Sequence, residues 1–312
     1  MRVERLSPDR WDAVLPDRGV EPFHTAAALE AIERHAPGEL RRYAAIENGE
    51  PIGLLPAFVR TESLGTVVQS PPSGLGIPRL GPVLLADDAN HRFVEALSAA
   101  VGADAPLTMF RACCPVEYDD PRPFRWADLT PEFVHRVPLR DLAVDGEPTD
   151  RVRIERTTGD PSTARSAASV NGGVPDPDLV GDIVEALGDR AWTYRAVVDD
   201  QPCAAAVVLF GPGTACCWFS TGARTHHSPA VVSDGSAAHV DADTVDFRAE
   251  LERCAVTDAA VDAPEPVPDV LDFPGRRPPA EGTVRSDLHP SYVVESPGKY
   301  VDAASAAEPG VY

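Results

Sequence analysis

Hydrophobic and polar positions follow two different periods along the chain. Apolar residues recur every three or four positions over His24–Ala36 and again over Asp176–Arg190, which predicts two amphipathic helices. An apolar segment follows each helix, at 43–59 and at 194–210, and a short polar stretch interrupts each segment. A polar turn between two apolar runs predicts an antiparallel strand pair. Both halves of the chain therefore predict a helix followed by a hairpin.

The two hairpins are similar to each other at a constant offset of 151 residues, measured from Tyr43 to Tyr194. The matching residues are Tyr43 with Tyr194, Ala45 with Ala196, and Pro51 with Pro202. Hairpins are common, so chance similarity is one explanation. An internal repeat is the other, and the elements around the hairpins favour it because they follow the same order in both halves.

Each hairpin is followed by a further strand, a loop, a second helix and another strand. In the first half these elements are predicted at Gly65–Ser70, His91–Val101 and Leu107–Cys113. In the second half they are predicted at Thr214–Thr221, Thr244–Thr257 and Ala259–Ala263. The sequence therefore predicts an α/β protein in which two similar lobes with mixed sheets pack side by side.

The segment between the two halves is rich in proline, aspartate and arginine. Its pattern predicts one strand at Phe133–Leu139 and an irregular loop over Thr157–Gly173, where no period is visible. The resulting domain division is a first lobe over 1–140, a linker over 141–175 and a second lobe over 176–312.

The charge balance is strongly acidic. Asp and Glu number 49 against 28 Lys and Arg, the net charge is −21, and Lys299 is the single lysine. Concentrated salt screens such self-repulsion to within about 3 Å at 1 M. The composition is similar to that of haloarchaeal proteins; an ordinary acidic protein of a mesophile is the alternative. The charge disfavours nonspecific nucleic-acid binding.

Apolar runs and cysteines indicate the compartment. No stretch approaches the about 20 apolar residues of a membrane span, and the start of the chain is not a signal peptide. The six cysteines form no C-x-x-C pair, so we expect free thiols, no zinc and a cytoplasmic location. His226-His227 fits a base or half a metal site, but no third ligand is spaced to join the pair. Solvated loop histidines are the simpler interpretation.

The order of helix, hairpin, strand, loop, helix and strand resembles the GNAT acyltransferase fold. Two such lobes in one chain resemble the FemAB-like branch of that superfamily. The resemblance covers nearly all of residues 1–300 and depends on the repeat and on four segments. These are PFHTAAALEAI (22–32), VVQSPPSGLGIPRLGP (67–82), CCWFSTGAR (216–224) and DFRAELERCAVTDAAVDA (246–263).

The resemblance implies a site for acyl-CoA in the second lobe. GNAT-like proteins hold the pyrophosphate on backbone N–H groups of the loop between the fourth strand and the next helix. Here that loop begins at Thr221-Gly222-Ala223-Arg224, where Gly222 lets the backbone approach a phosphate and Arg224 adds a charged contact. The alternative is a strand end that turns at a glycine beside a solvent-facing arginine. The long segment 225–243, which contains several aspartates, departs from the compact glycine-rich loop of the family.

Candidate catalytic residues follow from the same resemblance. Tyr292 and Tyr300 lie where a late tyrosine acid is expected, and Glu295 is a candidate base; an ordinary aromatic at a strand or helix start is the alternative for either tyrosine. In the first lobe, the loop Ser70–Gly74 contains two prolines, which lack the N–H groups of a phosphate site. We expect this loop to line the cleft between the lobes.

The function implied by the resemblance is transfer of an acyl group from acyl-CoA to an amine of a small molecule or peptide, without a metal. Two alternatives stay open. One is a non-catalytic binding or interaction protein with the same double lobe. The other is an aminoacyl-tRNA-dependent transferase, for which Arg151, Arg153 and Arg156 would supply a local basic surface.

Overall fold

The structure is a computed structural model, and it describes most of the 312 residues. The described residues are 1–16, 20–63, 65–86, 90–104, 107–116, 118, 120, 122–124, 127–139, 153–170, 175–198, 201–222, 247–274 and 287–296.

The described elements alternate between strands and helices. The strands are β1 (Arg2–Arg5), β2 (Glu39–Glu47), β3 (Glu50–Glu62), β4 (Gly65–Ser70), β5 (Val83–Leu84), β6 (Leu107–Cys113), β7 (Asp128–Pro138), β8 (Arg153–Thr158), β9 (Ala191–Val198), β10 (Gln201–Phe210), β11 (Thr214–Gly222), β12 (Val270–Pro274) and β13 (Asp287–Ser296). The α-helices are α1 (Pro8–Asp12), α2 (Ala26–His35), α3 (Asn90–Asp104), α4 (Pro161–Val170), α5 (Pro177–Leu187) and α6 (Phe247–Asp262). Short 3₁₀ helices lie at Pro22–His24, Arg122–Phe124 and Gly188–Arg190.

The described strands form one mixed sheet, with β1–β6 in one half, β8–β12 in the other, and β13 and β7 between them. The order is β1-β2-β3-β4-β6-β13-β7-β12-β11-β10-β9-β8, and β5 pairs with β3 beside this path. β4 with β6 and β11 with β12 are parallel pairs, one in each half. β13, the last strand, lies between β6 of the first half and β7. The prediction of an α/β protein with mixed sheets and two similar lobes is confirmed.

The internal repeat is confirmed down to the pairing register of the hairpins. Ala45 pairs with Gly53 in the first hairpin, and Ala196 pairs with Ala204 in the second. Each of these residues lies 151 positions from its counterpart. Both hairpins also contain an irregularity at the same place, just after these pairs. A shared β-bulge is not expected from two unrelated hairpins.

The repeat also includes the strands at the two edges of the sheet. β1 reads Arg-Val-Glu-Arg and β8 reads Arg-Ile-Glu-Arg. Arg5 lies opposite Tyr43, and Arg156 lies opposite Tyr194, again at the offset of 151 residues. The charged side chains suit an edge strand, because they discourage pairing with another chain.

Equivalent caps start the equivalent helices. The Thr25 side chain accepts a hydrogen bond from the Ala28 amide at the start of α2. Asp176, which is 151 residues later, accepts from the amides of Asp178 and Leu179 at the start of α5. Such caps satisfy amides that the first helical turn leaves unpaired.

Two sets of helices cover the two faces of the sheet. α2 and α5 contact each other, and with α4 they bury a core that contains residues of both lobes. On the other face, α3 packs over the first half and α6 over the second, each with its own apolar cluster. The six cysteines are free, as predicted. Within the described residues, no helix is both long enough and apolar enough to cross a membrane.

Two predicted elements are wrong. Ala259–Asp262 is the last turn of helix α6 and Ala263 directly follows it, so this segment is not a strand; its apolar residues continue the helical period of the preceding turns, and the strand follows at β12. The loop predicted over Thr157–Gly173 contains the end of β8 and helix α4. Asp160 caps α4 by accepting from the Ser162 amide at 2.9 Å. Small alanines and serines conceal this helix in the sequence. The domain division itself stays a prediction.

Candidate functional site: an opening between two strands of the second lobe

The parallel strands β11 and β12 pair over a short length and then separate. Cys216 opposite Asp272 is the last of their three pairs. β11 continues, whereas β12 soon ends, and its final residues pair with β7. Within the described part of the chain, no strand pairs with β11 on this side beyond Cys216. We call the gap flanked by Cys217–Gly222 and Phe273–Pro274 the β11–β12 opening.

A β-bulge in β11 accounts for the separation. Val207 of β10 pairs with Phe219, and Val208 pairs with Cys217, so that Trp218 is the extra residue. A bulge bends its strand and increases the local twist, and bulges are frequent beside active sites. β11 therefore turns away from β12 directly after their last pair.

The first turns of α6 lie against the end of β11. The Arg248 Nε donates to the Ser220 Oγ at 3.1 Å and to the Glu252 Oε1 at 2.8 Å, and the Ser220 hydroxyl donates to the same carboxylate. Glu252 and Ser220 are buried, whereas the Arg248 side chain is 31% exposed. Among the described contacts, Arg248 uses Nε alone, which leaves its two terminal nitrogens for a further partner.

The predicted cofactor residues fall partly on this site. Thr221 and Gly222 are the last two residues of β11, and Thr221 is half-buried. They directly follow Ser220, which contacts α6, so the strand end and the helix start do lie together. Ala223 and Arg224 lie outside the described residues, as do Tyr300 and the pair at 226–227.

The equivalent position in the first lobe is filled by the chain itself. The amides of Leu80 and Gly81 donate to the Cys113 carbonyl at 3.1 and 2.7 Å, on the side of β6 that faces β4. The Ser70 hydroxyl contacts the Leu80 carbonyl. A Cβ on Gly81 would lie 2.7 Å from the Cys113 oxygen, so glycine permits this close approach. In the first lobe this position is therefore occupied by the lobe's own loop, whereas the residues that follow β11 in the second lobe, 223–246, lie outside the described part of the chain.

We call residues 71–82 the inter-lobe loop, because Gly76 and Arg79 contact the second lobe; that Ser70–Gly74 line the cleft stays a prediction. The Trp218 indole N–H donates to the Gly76 carbonyl at 2.8 Å. The Arg79 Nη2 lies 3.3 Å from the Asp272 Oδ2. The loop thus contacts both strands that flank the β11–β12 opening.

A buried ionic cluster lies at the base of the opening. Arg79 donates through Nε to Glu21 at 2.6 Å, and the carboxylate of Asp272 also receives two hydrogen bonds from Arg136, at 2.7 and 2.8 Å. Glu21 and Asp272 are 0% exposed, and Arg79 is 1% exposed. Because isolated charges are costly to bury, the two carboxylates and the two guanidinium groups depend on one another.

Two further buried groups adjoin this cluster. His24 donates from Nε2 to the Gly81 carbonyl at 3.1 Å, and burial lowers the pKa of His24 to about 4, with the charge of Arg79 acting in the same direction. Burial also raises the pKa of Cys216 well above its usual range, and the charge of Glu21 adds to this. Cys216 is therefore a neutral thiol at neutral pH and not an activated nucleophile.

The structure does not bring the two candidate catalytic residues together. Tyr292 and Glu295 lie three positions apart in β13, so their side chains point to opposite faces of the sheet. The Tyr292 carbonyl accepts from the Cys114 amide at 2.8 Å, and Glu295 is exposed, 3.9 Å from Arg111. β13 is three strands from β11, roughly 14 Å at about 4.8 Å per strand. Their catalytic roles stay predictions.

The described arginines of the proposed tRNA surface are paired with acids. Arg153 contacts Glu155 at 3.1 Å. Arg156 contacts Asp258 at 3.1 Å and Asp262 at 3.2 Å. Arg151 lies outside the described residues. Paired arginines attract phosphates weakly, so this part of the surface gives little support to binding of tRNA.

Sequence reasoning missed four residues that the structure places at the site. Arg79, Arg136 and Asp272 come from three distant segments, so no local motif connects them. For Arg248 the sequence does contain an indication: it precedes Glu252 by four residues in a predicted helix, a spacing that favours an ion pair. Among the described residues, no group of three or more His, Cys, Asp or Glu side chains is placed to hold a metal ion.

Comparisons with known proteins give the fold. No protein-family model matches the sequence, and no curated protein matches it either. The crystal structure of FemX is similar with a TM-score of 0.58 at 10% identity, over 94% of this chain and 97% of that one. A tandem GNAT protein from the clavulanic acid biosynthesis pathway is similar over 94% of this chain and 98% of its own length, at 10% identity. Its TM-score of 0.47 is too low to carry an argument. The chain therefore has the fold of FemX, with two similar lobes in tandem.

Proposed function

We propose that the protein is an N-acyltransferase that takes an acyl group from acyl-CoA in its second lobe and transfers it to an amine. The observation that carries the proposal is the β11–β12 opening, which combines a bulged strand, a strand edge with which no described strand pairs, and the start of a helix. In the first lobe the equivalent position is occupied by Leu80 and Gly81, which favours the second lobe for binding; residues 223–246, which follow β11 there, lie outside the described part of the chain.

The two ends of the opening suit the two parts of an acyl-CoA molecule. A strand edge offers N–H and C=O groups to an extended ligand that contains amides, as the thioester arm of CoA does. At the other end, the amides of the first turn of α6 and the positive end of its dipole favour a phosphate. Gly222 allows close approach there, and the terminal nitrogens of Arg248 supply charged donors.

The pairing of Arg248 with Glu252 predicts a modest affinity of this site for phosphate. Glu252 is buried beside Arg248 and neutralises it, so the pair has no net charge. A phosphate therefore gains hydrogen bonds from Arg248 and the backbone but little long-range attraction. High salt weakens long-range attraction more than short hydrogen bonds, so a site of this kind would keep most of its affinity for phosphate in concentrated salt.

The transfer reaction requires little from the protein beyond the correct positioning of the amine and the thioester. The amine loses a proton and its nitrogen bonds to the thioester carbon, an oxyanion forms, and the C–S bond then breaks so that the thiolate leaves and takes up a proton. Backbone amides near the end of β11 are candidate donors to the oxyanion. Tyr292 and Glu295 remain candidates for the proton transfers, in which case substrate must span the distance between β13 and the opening.

A non-catalytic role is the second candidate, and one observation favours it. The described residues around the opening contain a neutral thiol at Cys216 and a carboxylate at Asp272 that is already bound by two arginines. Such a site binds without offering a base. The acceptor would be a small molecule or a peptide amine in the first case, and absent in the second.

The experiment that tests the proposal is incubation of the protein with radiolabelled acetyl-CoA and a panel of amines and amino-terminal peptides in multimolar KCl. Labelled amide product that requires the protein supports transfer. Binding of acetyl-CoA without any product supports the non-catalytic role. Absence of both binding and product contradicts an acyl-CoA site.

A further inference from the structure

The inter-lobe loop belongs to the first lobe but contacts both strands that form the site of the second. On one side, the Gly76 carbonyl accepts the indole N–H of Trp218, which is the bulged residue of β11. On the other side, Arg79 reaches the carboxylate of Asp272, the last residue of β12 that pairs with β11. The two contacts lie three residues apart in the loop.

The loop is itself firmly held between these contacts and the first lobe. Leu80 and Gly81 donate to the Cys113 carbonyl, and His24 donates to the Gly81 carbonyl. Gly76 has φ of +71°, and a Cβ there would lie 3.2 Å from Pro175. This conformation favours glycine and leaves little room for the loop to shift.

Both contacts are buried and specific in geometry. Trp218 is 4% exposed and packs edge-on against Phe23 at 5.3 Å between ring centroids. Arg79 is fixed by Glu21 at one end of its guanidinium group and by Asp272 at the other. Displacing either contact would leave a buried polar group without its partner, which is costly. The separation of β11 and β12 is therefore tied to the position of the loop.

We infer that the segment Gly76–Arg79 is a spacer through which the first lobe sets the width of the β11–β12 opening and so positions the thioester arm of an acyl-CoA ligand. The first lobe would thereby contribute to ligand binding in the second lobe, even though Leu80 and Gly81 occupy the equivalent position in the first. Trp218 and Arg79 act through the strands and do not touch the ligand, so they are positioning residues. The part concerning acyl-CoA rests on the proposed function.

The first test needs no ligand and uses hydrogen–deuterium exchange of the full chain. Trp218→Phe keeps an aromatic ring but removes the N–H that binds Gly76, and Arg79→Lys keeps the charge but removes the planar fork. Trp192→Phe is the matched control, because Trp192 is also 4% exposed but packs against Tyr194 and Phe210. We expect amides of Cys217–Gly222 to exchange about tenfold faster in both loop-contact variants, with β9 unchanged. Unchanged exchange at the end of β11 would overturn the inference.

The second test separates the spacer from the proposed function by calorimetry in multimolar KCl. In the two variants we expect the Kd for acetyl-CoA to rise about tenfold, a loss of about 1.4 kcal/mol, while the Kd for adenosine 3′,5′-bisphosphate stays unchanged. The bisphosphate lacks the thioester arm, so a general loss of folding would weaken both ligands. An equal loss for both ligands, or a loss of the same size in Trp192→Phe, contradicts positioning by the loop. If the wild type binds neither ligand but the exchange of β11 changes as expected, the spacer stands and the proposed function fails.

Discussion

The protonation of His24 gives the sharpest prediction about stability. His24 is fully buried beside the ionic cluster, where it donates to the Gly81 carbonyl, and its pKa is lowered from 6.5 to about 4. Between pH 6.5 and about pH 4, His24 binds a proton in the unfolded chain but not in the folded chain. The free energy of unfolding must therefore fall as the pH falls below 6.5, and this loss levels off below about pH 4.

The size of the effect follows from the two pKa values. A full shift of this size corresponds to roughly 3 kcal/mol, and lowering the pH from 7 to 5 should cost about 2 kcal/mol of stability. The assay is urea unfolding at both pH values in multimolar KCl, followed by tryptophan fluorescence. His24→Gln keeps an N–H donor near the Gly81 carbonyl but cannot become charged in this range.

We expect the wild type to lose about 2 kcal/mol more than His24→Gln between pH 7 and pH 5. The comparison with the variant removes contributions from the many carboxylates, which titrate in both proteins. Equal losses in the two proteins would refute the reasoning, since they would mean that His24 is accessible to protons in the folded state.

Three other perturbations follow from the described contacts. Arg248→Gln should raise the Kd for adenosine 3′,5′-bisphosphate about tenfold by calorimetry, whereas Arg253→Gln on the same helix should not; equal effects would contradict a phosphate site at Arg248. Asp182→Asn removes a carboxylate that binds Arg34, His35 and Arg165 across the helices of both lobes, and it should lower the free energy of unfolding by about 1–2 kcal/mol; an unchanged urea midpoint would contradict this. Gly81→Ala brings a Cβ within 2.8 Å of the Cys114 backbone and should cost about 2–3 kcal/mol, and a wild-type melting temperature would show that the inter-lobe loop is not held as described.

The sequence predicted the lobes well because their pattern is local and repeated. Periodicity located α2 and α5, and the match of Tyr43 with Tyr194 located the hairpins, which share their register and their irregularity. The two edge strands were not predicted, although their sequences, Arg-Val-Glu-Arg and Arg-Ile-Glu-Arg, match at the same offset. That match extends the repeat back to residue 2, ahead of the helices.

The site was less predictable because it is built from long-range contacts. Arg79 and Asp272 are 193 residues apart in the chain, and nothing local indicates that they meet. The position of β13 between β6 and β7 is equally hard to predict, because β13 is far from both strands in the sequence. The candidate loop at Thr221 and Gly222 was predicted from the resemblance to a GNAT lobe and stays a prediction, whereas the bulge at Trp218 was not predicted. A bulge depends on the partner strand, so its own sequence does not reveal it.

The central claim is that the second lobe binds acyl-CoA in the β11–β12 opening. Hydrogen–deuterium exchange of the full chain with and without acetyl-CoA, in multimolar KCl, tests it most directly. The account predicts slower exchange at Cys217–Gly222 and in the first turn of α6, with no change at β4 and β6 of the first lobe. Protection confined to the first lobe, or no protection anywhere at saturating acetyl-CoA, would contradict it.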